Sequence, residues 1–487
     1  MSQRPEAKRA SRLIGWIGWA GLDAIGRLAL LTGSTIIFSR LLTPRDFGIT
    51  ALVLTIVAVA AVFVGTPFEE ALAQRRHLRL MHLRAALGAS WMIGAVLLGL
   101  SFAGGQVLAE RYGEPEVRHL LPVAMASIFF SGHSDIVTAL ARRLRKFNDV
   151  AYATLLGHVI GIALALVLAF LGYGLWALIG QRLLVVVARA AILQWRIGHL
   201  ILPSLSFSHV GELGRFAGIS FMARLTDNLT YLAFNNLVQL LYGVSVLGHV
   251  NMAMRLIEPI RGAIVATGHN LAFSFFARAN KDQGRLRQLA DQVVSQSALV
   301  TVPVFVGMAA VAPVLLPLVA GPGWDDAIGI TVCLSLASAI AVPAGLIYTA
   351  FSANARPEMS LLSLVVSFAA VVTVLFGVAG LGPISVGLSR IAGDAVRAAF
   401  AIGLPAAALD WSRRQRLKAL APAWMLASVM GVIVAATAAL LPIGPLAVRL
   451  VALVGLGIAV YAALLSVFGR AMFAMLASYL PRSKVAR

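Results

Sequence analysis

The sequence predicts an all-α polytopic membrane protein of about fourteen transmembrane helices: two six-helix lobes in a pseudo-two-fold arrangement plus two extra C-terminal helices. Three observations predict it. Runs of about 20 predominantly apolar residues recur along all 487 residues, the length a helix needs to cross about 30 Å of hydrocarbon. Only 12% of the residues are charged and the mean hydropathy is +0.88, whereas soluble domains carry about 25% charge. One pattern, a charged apolar run, a short turn and a second apolar run, occurs at the start of the chain and again about two hundred residues later. The period-two alternation of a β-barrel is missing.

The elements follow in order. Met1–Arg12 is basic, and the first two spans are Leu13–Ser39 and Ile49–Gly65, joined by Arg40–Gly48. The first run is too long for a signal peptide, carries Asp23 and Arg27, and lacks a small-residue cleavage site, so it reads as a retained anchor. A basic loop, Gln74–Arg79, leads to spans near Ala85–Leu108 and Arg118–Thr138, between which lie Glu110, Glu114 and Glu116. After Arg142–Lys146 come spans near Val150–Leu171 and Leu175–Trp195, joined by Gly172-Tyr173-Gly174. The more polar Arg196–Arg215, with Pro203, reads as a linker. Spans near Phe216–Leu241 and Gly248–Phe275 precede a basic loop, Arg278–Asp291. Four more follow near Val293–Val319, Ala327–Ser352, Met359–Ala379 and Ile384–Leu409. A basic loop at Arg413–Lys418, two last spans near Ala421–Leu441 and Leu446–Phe468, and a basic tail complete the chain. The domain division expected is 1–200, 201–410 and 411–487.

Charge sets the orientation. The formal net charge is +20. In a soluble protein this would point to nucleic acid, but here the basic residues crowd every second loop. About 27 Lys and Arg fall in the loops assigned to the inside, against three (Arg40, Arg45, Arg111) outside, so both termini are expected in the cytoplasm. Cys333 is the one cysteine, which excludes an intramolecular disulfide. It sits in an apolar run as a small hydrophobe.

The internal repeat is legible position by position. Leu41 to Gly48 and Leu241 to Gly248 share one spacing, and Arg27 falls opposite Asp227. Arg182 and Arg189-Ala190-Ala191 are echoed by Arg390 and Arg397-Ala398-Ala399, with Gly174 and Gly382 at the same offset before them. Six-span units of this kind are related by an axis along the membrane normal. The last two spans have no echo.

Ten Lys and Arg remain inside the spans. Each charge there costs about 2.5–3.5 kcal/mol on insertion scales, so it faces a partner or a water-filled cavity. Local partners exist: Asp23 with Arg27 and Arg390 with Asp394 are four apart, while Arg224 with Asp227 and Arg255 with Glu258 are three apart, spacings that share a helix face. Arg182 and Arg189 have no local acid and stand two turns apart on one face. His133 and Asp135 share a span and have the chemistry of a proton relay. No Walker motif, Ser-His-Asp set or metal-ligand spacing is present, so no enzyme activity and no cofactor is expected.

The stretch Arg40–Gly48 (RLLTPRDFG) resembles the first outward loop of the polysaccharide transporter family, the Wzx-type oligosaccharide flippases of the multidrug/oligosaccharidyl-lipid/polysaccharide superfamily. Ala139–Phe147 (ALARRLRKF), Gly172–Ala177 (GYGLWA) and Asn228–Gly243 agree with it. The family motif often carries Glu where this chain has Arg45. The resemblance implies a bacterial cytoplasmic-membrane protein working by alternating access. Its cargo would be undecaprenyl-pyrophosphate-linked oligosaccharide, carried to the outer leaflet for exopolysaccharide, capsule or O-antigen synthesis. It also implies that spans one, two, seven and eight line the central cavity.

With that cargo, arginine is the residue to look for, because its planar fork matches phosphate oxygens. The head-group site is then expected at Arg27, Arg224 and Arg255, with Asp23, Asp227 and Glu258 holding them or exchanging protons. Asn228, Asn235, Asn236 and Asn251 are candidates for sugar contacts, and Arg182, Arg189, Arg390 and Arg397 are secondary basic candidates. The expected partners are the lipid-linked oligosaccharide, membrane lipids and a polymerase or glycosyltransferase of the same pathway, with no nucleic acid. Drive would come from an H+ or Na+ gradient or the membrane potential. The readings that compete are a peptidoglycan-precursor flippase and a drug/cation antiporter of the same superfamily. In-span arginine argues against a cationic cargo, and the short outer loops argue against a membrane enzyme of the pathway.

Overall fold

The computed structural model describes residues 26–65, 68–69, 72, 78–198, 201–279, 283–353, 358–403, 411–440 and 444–477. Met1–Arg12, Asp23, most of the loop Gln74–Arg79 and the last ten residues of the tail lie outside them. The described chain is helical and holds 10 helices long and apolar enough to cross a membrane.

It forms two compact units, Met1–Met252 and Ala253–Arg487. The first contains α1 (26–41), α2 (Pro44–Val64), α3 (Leu80–Tyr112), α4 (Val117–Arg143), α5 (Phe147–Phe170) and α6 (Gly174–Ile197). It also takes most of α7 (Phe207–Ala279), which is broken at Gly243. There φ is 83° and ψ is 172°, a backbone state open to glycine and strained for other residues. The two expected spans, seven and eight, are the two arms of this broken helix.

The start of α2 follows from the sequence TPRD. Thr43 caps the helix, Pro44 occupies its first turn, and the Asp46 carboxylate accepts from the Thr43 N–H at 2.9 Å. This is a capping box, which satisfies donors that a helix end otherwise leaves open.

Within the first unit α3 packs on α4, α5 on α6, α4 on α6 and α2 on α4. Small residues set the approach. A β-carbon on Gly157 or Gly161 of α5 would lie 3.0 Å from the carbonyl oxygens of Val185 or Gln181 of α6, so the helices meet at near-backbone distance. Two apolar clusters hold the bundle. Ile49, Val53, Val57, Leu120, Ile128 and Ile179 form one, and Leu83, Leu87, Ile136, Val137, Leu193 and Ile197 the other. They lie at opposite ends of α4 and α6. The stretches between them, 129–135 on α4 and 180–192 on α6, carry His133, Ser134, Asp135, Arg182 and Arg189.

The linker has no regular secondary structure over 201–206 and docks on α3. Ser204 N–H donates to the Arg84 carbonyl at 2.9 Å, and a β-carbon on Gly88 would overlap the Ser204 carbonyl.

The second unit contains the end of α7, α8 (Gln283–Ala320), α9 (Asp325–Ala353), α10 (Glu358–Gly377), a 3-10 turn (Ala379–Leu381), α11 (Ile384–Gly403), α12 (Arg413–Leu440) and α13 (Leu446–Ala477). Helix α8 starts inside the expected basic loop Arg278–Asp291, because Leu286 and Ala290 are buried and extend its apolar face. The pairing scheme of the first unit recurs. Helix α8 packs on α9, α10 on α11 and α9 on α11, as α3 on α4, α5 on α6 and α4 on α6. Helices α12 and α13, which have no counterpart in the repeat, pack on α8. The entry to α12 is fixed by Trp411, whose indole N–H donates to Asp291 at 3.3 Å, and by Arg416 over the Trp411 ring at 5.9 Å.

Candidate functional site

The polar layer of the first unit is built from four helices. Helix α6 presents Arg182 and Arg189 two turns apart. Arg189 Nη2 donates to Thr138 Oγ1 of α4 at 3.0 Å. Gly157 lets the Arg189 stem pack on α5, since a β-carbon there would stand 3.3 Å from that of Arg189. Next to Gly157, His158 has Arg27, Arg182 and Arg189 as its charged neighbours. Asp135 of α4 faces Glu69, Arg189, Arg182 and Arg142. It lies against Gly65, the C-cap of α2, where a β-carbon would overlap its carboxylate. Around the rim, Arg142 pairs with Glu69 at 2.7 Å and His133 Nε2 meets Gln194 Oε1 at 3.0 Å.

Several buried polar atoms in this layer have no hydrogen-bond partner: Ser134 Oγ, Arg189 Nε, His158 Nδ1 and Ser90 Oγ. Buried polar groups are normally satisfied. The charges of three arginines act on the His158 imidazole and that of Asp135 on two of them, and guanidinium groups suit an anionic group with several oxygens.

Arg27 is exposed and belongs to this cluster. Its companions there are the secondary candidates Arg182 and Arg189. Arg224 and Asp227 are exposed on the first arm of α7. Asp23 lies outside the described residues. In the second unit Arg255 is half-buried and Glu258 pairs with Arg261 at 3.3 Å. Arg397 lies 5.4 Å over the Tyr348 ring, whose hydroxyl donates to the Arg397 carbonyl at 2.8 Å. Arg390 is half-buried and Asp394 buried on the same helix.

Three of the asparagines are engaged by the protein. Asn228 donates to the Arg224 carbonyl at 2.8 Å, one turn back. Asn235 is buried and donates to Thr55 Oγ1 of α2 at 2.8 Å. Asn236 donates to Leu232 O at 2.8 Å and accepts from the Tyr112 hydroxyl. Asn251 is half-buried. Asn235 and Asn236 thus tie α7 to α2 and to the end of α3. The same junction carries the repeated glycines. A β-carbon on Gly48 would overlap the Val244 carbonyl, and one on Gly248 would overlap the Pro44 carbonyl. Pro44 and Val244, like Gly48 and Gly248, are matching positions of the repeat, so the contact is reciprocal.

His158 and Thr138 are members of the cluster that sequence reasoning missed. They lie on different helices from the arginines, so no spacing links them. The only signal was a polar residue beside a helix-packing glycine. Among the described residues no group of three or more His, Cys, Asp or Glu is placed to hold a metal ion.

A protein-family model described as "Polysaccharide biosynthesis protein" matches residues 37–329. The chain is 24% identical over 328 residues to the succinoglycan biosynthesis transport protein ExoT of Rhizobium meliloti strain 1021, covering 67% of this chain and 66% of that relative. It is 20% identical over 364 residues to the lipopolysaccharide biosynthesis protein WzxC of Escherichia coli strain K12, covering 70% of each. Among solved structures, the lipid II flippase MurJ in an inward closed conformation superposes with a TM-score of 0.75 at 14% identity, over 94% of this chain and 100% of that one. An inward-facing multidrug resistance MATE family transporter gives 0.60 at 18% identity, over 81% and 95%. The structural likenesses give the fold and the family match gives the kinship: the chain belongs to the polysaccharide biosynthesis protein family.

Proposed function

We propose that the protein is a flippase that moves undecaprenyl-pyrophosphate-linked oligosaccharide from the inner to the outer leaflet of a bacterial cytoplasmic membrane by alternating access. The observation that carries this reading is that the charges of Arg27, Arg182 and Arg189 all act on His158, with Arg182, Arg189 and His158 on helices long and apolar enough to cross a membrane. A charge at that depth is kept for a task, and three guanidiniums match the oxygens of a pyrophosphate. The names of the relatives, a succinoglycan transport protein and a lipopolysaccharide biosynthesis protein, support a glycan cargo.

In this proposal Arg27, Arg182 and Arg189 hold the head group on the first unit. Arg224 with Asp227 is a further basic point on that unit, and Arg255 with Glu258 one on the second. Both termini are cytoplasmic, the lobes are 1–200 and 201–410, and 411–487 is an addition. An H+ or Na+ gradient or the membrane potential supplies the drive. A polymerase or glycosyltransferase of the same pathway takes the product or supplies the cargo.

The test is deletion of the gene in its host, with mass spectrometry of the extracted lipids. Accumulation of an undecaprenyl-pyrophosphate oligosaccharide, with loss of a surface polymer, is expected. An unchanged lipid pool with new sensitivity to cationic drugs would overturn the proposal in favour of an antiporter.

A further inference from the structure

Two of the stretches singled out in the sequence, RLLTPRDFG and GYGLWA, lie about 130 residues apart, yet they line one pocket of about 400 Å³. Glu116, from the turn between α3 and α4, joins them. The charge bias of the loops puts this end of the bundle outside, as in the function proposed above. The head-group chemistry of the arginine cluster makes no use of it.

We infer that this pocket is a saccharide subsite, built for a neutral or amino-sugar pyranose unit of a glycan on the outer face. Four features carry the inference. First, it has an aromatic platform that a folded core would have covered: Tyr173 is 56% exposed and Trp176 38%. An indole or phenol face packs on the apolar C–H face of a pyranose. The turn that presents them needs Gly172, whose φ is +84°, a value that other residues rarely adopt.

Second, the acceptors are fixed before any ligand arrives. Asp46 Oδ2 accepts from Thr43 N at 2.9 Å and Thr43 Oγ1 at 2.8 Å. Arg45 is held by Glu114 and by both oxygens of Glu116, at 3.1 and 3.2 Å. Fixed acceptors facing a pocket suit the hydroxyls of a sugar, which arrive in fixed geometry as well.

Third, the first helical bond of α6 runs from Ala177 N–H to Tyr173 O at 2.8 Å. The N–H groups of residues 174–176, which line the pocket, therefore have no intrahelical acceptor. They are donors for sugar oxygens. Fourth, a side chain at residue 174 would fill the space. A β-carbon on Gly174 would stand 3.1 Å from Leu42 Cδ2 and 3.7 Å from Asp46 Oδ2, against the acidic wall.

Charge sets the class of sugar. Two carboxylates (Asp46 and Glu116) and one guanidinium (Arg45) line the pocket, and Glu114 and Glu116 both pair with that guanidinium. A uronic acid would meet net negative charge, whereas a neutral or amino sugar would not. Tyr and Trp also anchor helices at a membrane interface, but that role needs neither the acidic wall nor the pocket.

The test uses the full chain in lipid nanodiscs and saturation-transfer NMR. The probes are trisaccharides of glucose, galactose and N-acetylglucosamine, a glucosamine trimer, and a galacturonate trimer. Transfer to at least one neutral or amino sugar is expected, with the galacturonate trimer weak. Trp176→Ala should lower the signal about fivefold, the worth of one stacked aromatic. Trp176→Phe should keep most of it, and Glu116→Gln should raise transfer to the galacturonate trimer. Overturning results are no transfer to any neutral or amino sugar, equal transfer to empty nanodiscs, or an unchanged signal in Trp176→Ala. The inference rests on the glycan-flippase reading, and the two fail differently. Lipid accumulation in the deletion strain without sugar transfer in nanodiscs removes the pocket alone. An unchanged lipid pool removes the flippase reading whatever the nanodiscs show.

Discussion

A polar side chain inside a membrane bundle does one of two things, and Asn235 and Arg189 show both. Asn235 is used up by the protein. Its amide donates to Thr55 Oγ1 at 2.8 Å, with both residues buried. Asn235→Leu should therefore destabilise the protein by about 1 kcal/mol, because it removes a buried hydrogen bond and leaves Thr55 Oγ1 with only its own bond to the Ala51 carbonyl. Adding Thr55→Val should restore part of the loss. A melting series in detergent on the two single variants and the pair checks this; equal melting temperatures for Asn235→Leu and wild type would refute it. Arg189 is only partly used. One terminal nitrogen donates to Thr138, and Nε, though buried, has no acceptor. Arg189→Ala and Arg182→Ala should each lower export about tenfold or more, the worth of a charge-assisted hydrogen bond to phosphate, with the protein still present in the membrane. Lysine at either position should restore part of the activity, since charge is kept and the fork is lost. Complementation of the deletion strain, read by polymer yield and by immunoblot of membranes, measures both.

At the scale of elements, the turn Arg40–Gly48 and its repeat Leu241–Gly248 carry the most structure per residue. The first caps α2 and the second breaks α7, and each places its glycine on the other's carbonyl. In an ordinary helix Gly→Ala stabilises by about 1 kcal/mol. Here the added carbon meets a backbone oxygen, and overpacking of that kind costs about 1–3 kcal/mol. Gly48→Ala and Gly248→Ala should each lower the melting temperature. The double variant should lose less than the sum, because the first substitution already forces the segments apart. Additive losses would mean that the two contacts are independent. The Thr43–Asp46 capping box is a separate contribution, so Asp46→Ala should cost about 1 kcal/mol on its own.

At the scale of the molecule, both units use one pairing scheme, and α12 and α13 are added to the second. The alternation of basic and non-basic loops then sets the topology. Cys333 is the single cysteine and is buried, so its replacement by Ala gives a background for labelling. A cysteine placed at Glu116 should react with a membrane-impermeant maleimide in intact spheroplasts. One at Gln415 should react only after permeabilisation. The reverse pattern would invert the orientation and move the proposed saccharide pocket to the cytoplasm.

The sequence alone determined the class of fold, because span length and charge content are counted along the chain and need no neighbour. It also determined the repeat, since a conserved spacing such as Leu41–Gly48 and Leu241–Gly248 survives in one dimension, and the capping box, whose residues are three apart. The family was legible in RLLTPRDFG for the same reason. Only the tertiary structure decided which charges share a site. Arg27, Asp135, His158 and Arg182 stand on four helices, and α6 packs both on α5, through glycines, and on α4. Asn235 likewise looked free for a ligand until α2 was seen to hold its partner. Grouping in space depends on which helix faces touch, and that is set by side-chain shapes distant in sequence.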